Sequence, residues 1–235
     1  MADAAPPAAP KWADLGVRLI SAVVLIPAVI ADVWAGGIWF NLFVALLGVL
    51  MANEWVTICH RQDQRQFALH AAAAIAGALL PLEVGIWGSL AAIAVLWAIS
   101  AGFARYQDPA GAKWRYLGVP YVSLPAIALV LLRNDQVYGI AAIIWIMVTV
   151  WSADSLAYFA GRIIGGPKLA PVISPKKTWA GLGGAVAGSA LASLAFALIA
   201  GLPGLFLLAF LAGLLAIVEQ TGDLFKSAMK RHYGV

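Results

Sequence analysis

The sequence predicts an all-α membrane protein, a polytopic bundle of about eight transmembrane helices. Apolar residues make up 63% of the 235-residue chain and charged residues only 11%, whereas a soluble domain carries about 25% charged residues. The apolar residues form runs that can cross the ~30 Å hydrocarbon core of a bilayer. The basic residues fall in alternate segments between those runs, which is typical of a membrane protein with a fixed orientation.

The predicted helices follow one another with short polar or glycine-containing turns between them. The apolar runs cover residues 18–35, 38–58, 67–83, 86–103, 117–133, 138–160, 178–200 and 202–222. Only the segment LEVG, residues 82–85, divides the third run from the fourth. We expect a helix in each run because a segment in lipid must satisfy its backbone hydrogen bonds internally. Before the first run, residues 1–16 are rich in alanine and proline and predict a disordered tail.

The positions of the basic residues predict the orientation. With a cytoplasmic N-terminus, 14 of the 15 Lys and Arg residues lie in cytoplasmic segments, and Arg133 alone lies on the opposite side. Positive charge concentrates on the cytoplasmic side of membrane proteins, so both termini are expected there. Cys59 is the single cysteine, which excludes an intrachain disulfide and a cysteine-based metal site.

Polar residues collect in the last part of the chain. We therefore interpret residues 17–149 as N-terminal membrane helices and residues 150–235 as the part that carries the chemistry. On the sixth predicted helix, Asp154 and Tyr158 are four residues apart and share a face, with Gly161 below them. An acidic residue at membrane depth indicates function, because its charge is costly there. The alternative is a carboxylate near the interface that pairs with Arg162 or a loop lysine.

The loop before the seventh predicted helix has a distinctive order of residues, VISPKKTWAG at 172–181. The proline at 175 favours an extended or turn conformation at Ser174, and Thr178 can cap the helix that follows. A helix N-terminus beside Lys176 and Lys177 is suited to bind a phosphate group. The alternative is that these lysines only contribute to the charge asymmetry.

The seventh predicted helix carries glycines at 181, 183, 184 and 188. Gly184 and Gly188 form a small-xxx-small pair, which is typical of closely packed membrane helices. We expect these glycines to serve packing.

The third polar group, EQTGDLFKSAMKR at 219–231, ends the last predicted helix. Glu219 and Asp223 are four residues apart, and Ser227 continues the same face. Two carboxylates on one face suit a hard cation such as Mg²⁺, which prefers oxygen ligands and often bridges to substrate phosphates. The alternative is a ladder of ion pairs at the membrane surface, with Asp223 paired to a lysine.

Together, these groups predict a site on the cytoplasmic side with an anion-binding loop, a carboxylate pair and an acid at membrane depth. Such a site suits a reaction between a water-soluble phosphorylated molecule and a lipid. Phosphoryl or nucleotidyl transfer requires cations that neutralise phosphate charge and a geometry that holds the attacking and leaving groups in line. No nucleic acid is expected as a partner.

Two segments resemble the bacterial phosphatidate cytidylyltransferases, also called CDP-diacylglycerol synthases. They are DSLAYFAGRIIGGPKLAPVISPKKTWAGLGG and EQTGDLFKSAMKRHYGV. The Ser-Pro-x-Lys-Thr-Trp loop and the Gly-Asp-Leu-x-x-Ser-x-x-Lys-Arg segment are both specific, and their order and spacing match. The resemblance is strong from about Val150 onward and weak in the first half. It implies transfer of CMP from CTP to phosphatidate, at the cytoplasmic face of a bacterial inner membrane.

The resemblance also implies roles for individual residues. Asp223 is the implied ligand of Mg²⁺, with K⁺ associated with the metal centre. Asp223, Lys176, Lys177 and Asp154 are the implied catalytic residues. A further set is implied to hold substrate phosphates: Ser174, Thr178, Ser227, Lys230 and Arg231. CTP and phosphatidate are the implied partners, and a homodimer is left open.

The sequence departs from the family pattern in two places. Lys226 stands where the family usually has glutamate, which shifts the local charge by two units. The family signature also continues past KRHYGV into Lys-Asp-Ser and a His-Gly-Gly…Asp-Arg…Asp segment, which supplies a second acidic element and a final helix. From this comparison, the chain ending at Val235 is expected to insert into membranes and to have little or no activity.

Two other functions stay open at this point. A CTP-dependent lipid-alcohol kinase would phosphorylate a hydroxyl group and release CDP. A transporter with Asp154 on its pathway would have polar residues through the whole membrane depth, whereas here they gather on one side. A CDP-alcohol phosphotransferase is disfavoured because its Asp-Gly-x-x-Ala-Arg…Asp…Asp pattern is absent.

Overall fold

The structure, a computed structural model, describes residues 15–107 and 112–235 and shows a helical bundle. Its helices are α1 Leu15–Ala35, α2 Gly37–Cys59, α3 Gln64–Leu79, α4 Gly85–Gln107, α5 Ala112–Arg115, α6 Gly118–Arg133, α7 Gly139–Ile163, α8 Trp179–Ile199 and α9 Leu205–Tyr233. Apart from the single-turn α5, these are the eight predicted helices, so the all-α fold class is confirmed. The predicted tail lies outside the described residues except at Leu15 and Gly16, which belong to α1.

Five of the described helices, α2, α4, α7, α8 and α9, are long and apolar enough to cross a membrane. α3 and α6 have 16 residues each and are therefore about 24 Å long. α3 begins at Gln64 because the Asp63 side chain caps it, accepting hydrogen bonds from the backbone N–H groups of Arg65 and Gln66 at 2.8 and 3.0 Å. These bonds, that from Gln66 above all, lower the pKa of the Asp63 carboxyl.

The long helices pack as two groups. α2, α3, α4 and α6 pack on one another, and α7, α8 and α9 form the second group. An apolar cluster joins the groups near the end where α6 stops, and it includes Val33, Phe40, Val130 and Ile143. At this end, Arg133 donates from Nε to the carbonyl oxygen of Val33 at 2.6 Å.

The opposite end, here called the basic end, comprises the end of α2 with the following turn at 59–63, the end of α4 with α5, the α7–α8 connection at 164–178 and the C-terminal part of α9. These segments contact one another: Arg231 Nε donates to the carbonyl oxygen of Ile173 at 2.7 Å, and Arg115 Nε to that of Cys59 at 2.8 Å. Arg133 therefore lies at one end and these basic residues at the other, in agreement with the predicted charge asymmetry.

The α7–α8 connection forms a hairpin, although the sequence predicted a loop. β1 Lys168–Ala170 and β2 Ser174–Thr178 pair antiparallel, with Lys168 opposite Thr178 and Ala170 opposite Ser174. Gly165 and Gly166 lead into it with φ of 67° and 91°, a backbone conformation that glycine adopts without a steric penalty. The hairpin holds the lysine cluster in an extended strand directly before α8.

The last helix continues past its apolar run. That run ends at residue 222, whereas α9 continues to Tyr233, in agreement with the shared helical face predicted for Glu219, Asp223 and Ser227, and is followed by Gly234 with φ of 71°. A left-handed glycine is a common helix stop. The polar segment with Asp223 and Lys230 is therefore a rigid extension of a membrane helix.

Candidate functional site

A cavity of about 550 Å³ opens at the basic end between α7, the hairpin, α8 and α9. Five predicted site residues line it: Asp154, Lys176, Lys177, Thr178 and Asp223. Three segments that are distant in the sequence therefore line one cavity.

Close packing of α7 against α8 makes this arrangement possible. An ideal Cβ on Gly184 would lie 2.7 Å from the carbonyl oxygen of Leu156, and one on Gly188 would lie 2.8 Å from Leu156 Cβ. Only glycine allows helices to approach this closely, so the predicted packing role is confirmed for Gly184 and Gly188. The prediction was wrong for Gly183, where an added Cβ would meet nothing within 4 Å. The approach brings Asp154 of α7 to the same cavity as the hairpin.

Lys177 is held firmly against α9. Its Nζ donates to Asp223 Oδ2 at 2.9 Å and to Gln220 Oε1 at 2.8 Å. Its neighbour Lys176 is exposed and lines the same cavity. The pair thus presents one ammonium group fixed beside a carboxylate and one open to solvent.

Thr178 joins the hairpin to α8 and is only 6% exposed. Its Oγ1 accepts a hydrogen bond from the backbone N–H of Gly181 at 3.1 Å, which confirms the predicted cap. Because the cap fixes the first turn of α8, the positive end of that helix is held at the cavity wall.

Other predicted site residues lie away from the cavity in the described part of the chain. Ser174 begins β2 opposite Ala170, and Ser227 is half-buried on α9. Arg231 fastens the hairpin turn to α9 through the carbonyl oxygen of Ile173. The structure therefore gives Arg231 a contact with the hairpin and does not bring these residues to the cavity wall.

Lys230 and Lys226 both pair with α2. Lys226 Nζ lies 2.8 Å from Glu54 Oε2, and Lys230 Nζ lies 3.2 Å from Glu54 Oε1. Lys226, one of the two departures from the family pattern, is thus balanced by a carboxylate from another helix.

Glu219 extends the acidic part of the site deeper into the bundle. It interacts electrostatically with both Asp154 and Asp223. Its Oε2 is buried and receives no hydrogen bond from a donor among the described residues, while its side chain lies within hydrogen-bond reach of the Asp154 carboxyl. A buried acceptor without a partner is unfavourable, and a cation bound between these carboxylates would satisfy it.

The donor set fits a metal that shares its coordination with a substrate. Among the described residues, no three His, Cys, Asp or Glu side chains are grouped closely enough to hold a metal ion by themselves. Mg²⁺ commonly takes one or two protein carboxylates and completes its shell with water and phosphate oxygens. Asp223 and Glu219 match that requirement.

Three cavity residues were missed as candidates: Arg162, Lys168 and Gln220. Arg162 NH1 donates to Tyr158 Oη at 2.7 Å, so this arginine pairs with the tyrosine one turn earlier. Gln220 could have been found from the sequence, because a polar amide next to Glu219 is unusual within an apolar helix. Lys168 had no such signal, because the hairpin pairing that places it opposite Thr178 is not a local pattern.

The chain is similar to known proteins over nearly its whole length. The cytidylyltransferase family profile matches residues 16–235. The phosphatidate cytidylyltransferase of Brucella abortus is 37% identical over 223 residues, covering 94% of this chain and 82% of the relative. That of Pseudomonas aeruginosa is 35% identical over 235 residues, covering 93% and 84%. That of Bacillus subtilis is 38% identical over 120 residues, covering 51% and 45%. The match extends over nearly the whole chain, and the chain therefore belongs to the cytidylyltransferase family.

Proposed function

We propose that this protein transfers CMP from CTP to phosphatidate and forms CDP-diacylglycerol and pyrophosphate. The observation that carries the proposal is the cavity at the basic end, where cationic side chains face carboxylates at the end of a membrane helix bundle. The relatives named phosphatidate cytidylyltransferase support this pair of substrates. A cavity at this position can admit a nucleotide from water and a phosphate group from the lipid surface.

The cavity suits the charge of both substrates. CTP and phosphatidate are polyanions, and Arg162, Lys168 and Lys176 are exposed cations in the cavity wall. Charge-assisted hydrogen bonds from such groups to phosphate oxygens are short and strong. The capped N-terminus of α8 adds a favourable dipole. We assign the triphosphate to this hairpin side of the cavity.

In the proposed reaction, a phosphate oxygen of phosphatidate attacks the α-phosphorus of CTP. The new bond joins that oxygen to the α-phosphorus, the bond from the α-phosphorus to the oxygen that bridges to the β-phosphorus breaks, and pyrophosphate leaves with the electron pair. Lys176 and Lys177 stabilise the charge on the leaving group. Asp154, which lies deeper on α7, lines the side from which the lipid phosphate approaches.

Asp223 and Glu219 are the residues that would hold Mg²⁺, and K⁺ is expected at the same centre. Bound Mg²⁺ would neutralise phosphate charge and orient the reacting groups. The buried Oε2 of Glu219 supports this assignment. We further propose that the site faces the cytoplasm at a bacterial inner membrane, since the basic end carries nearly all the positive charge. The homodimer stays a prediction.

The test is product analysis with the purified protein, CTP and phosphatidate in mixed micelles. The readout is the identity of the labelled product. We expect CDP-diacylglycerol and pyrophosphate in equal amounts. Both should disappear when EDTA removes Mg²⁺ and in Asp223→Asn. Glu83→Gln, which removes an exposed carboxylate between α3 and α4, is the matched control and should form product like the unmodified chain.

Other products would point elsewhere. Release of CDP with a phosphorylated lipid alcohol would support the kinase alternative. An Asp223→Asn protein that forms product as well as the unmodified chain would remove Asp223 from the metal site. Absence of any CDP-diacylglycerol would contradict the proposed function.

A further inference from the structure

One carboxylate outside the cavity is placed to affect it. Glu54 on α2 pairs with Lys226 and Lys230, with oxygen–nitrogen distances of 2.8 and 3.2 Å. The two lysines lie on α9, one and two turns beyond Asp223. The Glu54 carboxylate of α2 therefore pairs with two lysines of α9, the helix that carries the candidate metal ligand Asp223.

Holding α2 to α9 is not a sufficient role for Glu54. The side chains of Glu54, Lys226 and Lys230 are each 44% exposed, and exposed ion pairs contribute little to folding stability. Apolar contacts already join the two helices: the rings of Trp55 and Phe225 stack with centroids 6.2 Å apart, and Met229 is buried beside Cys59 and Trp55.

The electrostatic effect on Asp223 is more direct. Lys226 is close enough for its charge to interact with that of Asp223. Along the helix axis, Lys226 and Lys230 lie about 4.5 and 10.5 Å beyond Asp223 at 1.5 Å per residue. These are backbone separations along α9. Without Glu54, both ammonium groups would be uncompensated near the segment that carries Asp223. Positive charge so close to a carboxylate lowers its attraction for a divalent cation.

We propose that Glu54 is a positioning residue for the cation site. It neutralises Lys226 and Lys230 and holds them toward α2, so that Lys177 is the lysine paired with Asp223 and two further positive charges do not oppose a divalent cation at that carboxylate. The inference rests on the proposed function only for the role of Asp223 as a cation ligand.

The experiment measures Mn²⁺ as a paramagnetic probe, by electron paramagnetic resonance, on the purified full chain with and without CTP. Glu54→Gln is expected to weaken Mn²⁺ binding about three- to tenfold, since one compensating charge is lost near a partly exposed site. The double variant Glu54→Gln/Lys226→Gln removes the uncompensated lysine and should bind Mn²⁺ within about twofold of the unmodified chain. Glu83→Gln, with the same loss of a carboxylate far from α9, should show no change.

The double variant separates a charge effect from a mechanical one. If Glu54 only held α2 against α9, the additional removal of Lys226 would not restore Mn²⁺ binding. Equally weakened Mn²⁺ binding in the single and double variants would therefore overturn the proposal. Mn²⁺ binding by Glu54→Gln that equals the unmodified chain would overturn it too, as would an unmodified chain without saturable Mn²⁺ binding. The expected Mn²⁺ pattern without formation of CDP-diacylglycerol would count against the proposed function and leave this inference standing.

Discussion

Two adjacent lysines in the hairpin have different surroundings. Lys177 Nζ is fixed between Asp223 and Gln220, whereas Lys176 is exposed. Removing Lys177 therefore takes away a cation and also leaves a carboxylate uncompensated in the cavity wall. Removing Lys176 takes away a cation alone. The same substitution should have unequal effects at the two positions.

We expect Lys177→Ala to weaken CTP binding by roughly 10- to 100-fold, because a charge-assisted hydrogen bond contributes about 1.5–3 kcal/mol and Asp223 would then repel the triphosphate. Lys176→Ala should fall at the lower end of that range. Equilibrium binding of labelled CTP measures both. Arg105→Ala, at an exposed basic residue outside the cavity, is the control. Unchanged CTP binding in both lysine variants would mean that the lysines serve only the charge asymmetry.

His60, in the turn after α2, predicts a pH dependence of stability. It is 5% exposed, and burial, assisted by His70 and Arg115 and opposed by Asp63, lowers its pKa to about 3. In the unfolded chain, the histidine takes up a proton as the pH falls below about 6.5, whereas the folded protein keeps it neutral down to about pH 3. The contribution of His60 to the free energy of unfolding is therefore greatest above pH 6.5 and decreases as the pH falls toward 3.

The measurement is the thermal unfolding midpoint in detergent at pH 7.5 and pH 5. The unfolding midpoint of His60→Gln should decrease less from pH 7.5 to pH 5 than that of the unmodified chain. His232→Gln, at an exposed histidine, should keep the loss of the unmodified chain. An equal loss in all three proteins would show that His60 does not couple folding to protons.

At the scale of elements, the contact between α7 and α8 can be tested with neighbouring glycines. A Cβ on Gly184 would approach the Leu156 carbonyl oxygen and the Ala160 side chain, whereas a Cβ on Gly183 would meet nothing within 4 Å. Gly184→Ala should destabilise the protein by about 1–3 kcal/mol through overpacking. Gly183→Ala should be neutral or slightly stabilising, because alanine favours helix more than glycine does. Similar unfolding midpoints for both variants would contradict the packing role.

The sequence predicted best those helices whose residues form a pattern along the chain, such as an apolar run or a helix cap. Apolar runs locate all eight long helices, and Thr178 marks the start of α8 by cap chemistry. The start of α3 at Gln64, capped by Asp63, lies before the apolar run and was not predicted. The extension of α9 beyond residue 222 has no hydropathy signal, because hydropathy reports burial in lipid and not helix formation. The four-residue spacing of Glu219, Asp223 and Ser227 indicated it instead. The hairpin was missed because three residues in β1 and five in β2 are too short for a pattern, and their pairing is set by the turn between them.

The site was predictable as far as its residues lie in recognisable motifs. Asp154, Lys177 and Asp223 line the same cavity because α7 and α9 both run toward the basic end and the hairpin follows α7 directly. The partner of Lys230 was not predictable, since Glu54 reaches it only through the packing of α2 on α9. Which residues line a cavity depends on helix rotation, and one sequence does not specify that rotation.

At the scale of the whole molecule, the two ends of the helix bundle differ in their charged residues. One end holds the apolar cluster and Arg133, and the other holds the cavity, the hairpin and the remaining described basic residues. Between the ends, the helix surfaces expose large apolar residues such as Trp39, Leu50 and Phe210, as expected for surfaces that face lipid. The position of the cavity at the basic end ties the chemistry to the orientation in the membrane.

This orientation gives the last prediction. In a Cys59→Ser background, single cysteines at Tyr106 and Val172, which are 89% and 81% exposed at the basic end, should react with a membrane-impermeant maleimide only after cells are permeabilised. A cysteine at Gln136, exposed in the turn between α6 and α7, should react in intact cells. The physical reason is the retention of Lys- and Arg-rich segments on the cytoplasmic side. Labelling of Val172→Cys from outside would place the cavity away from cytoplasmic CTP and would overturn the orientation together with the proposed access of the nucleotide.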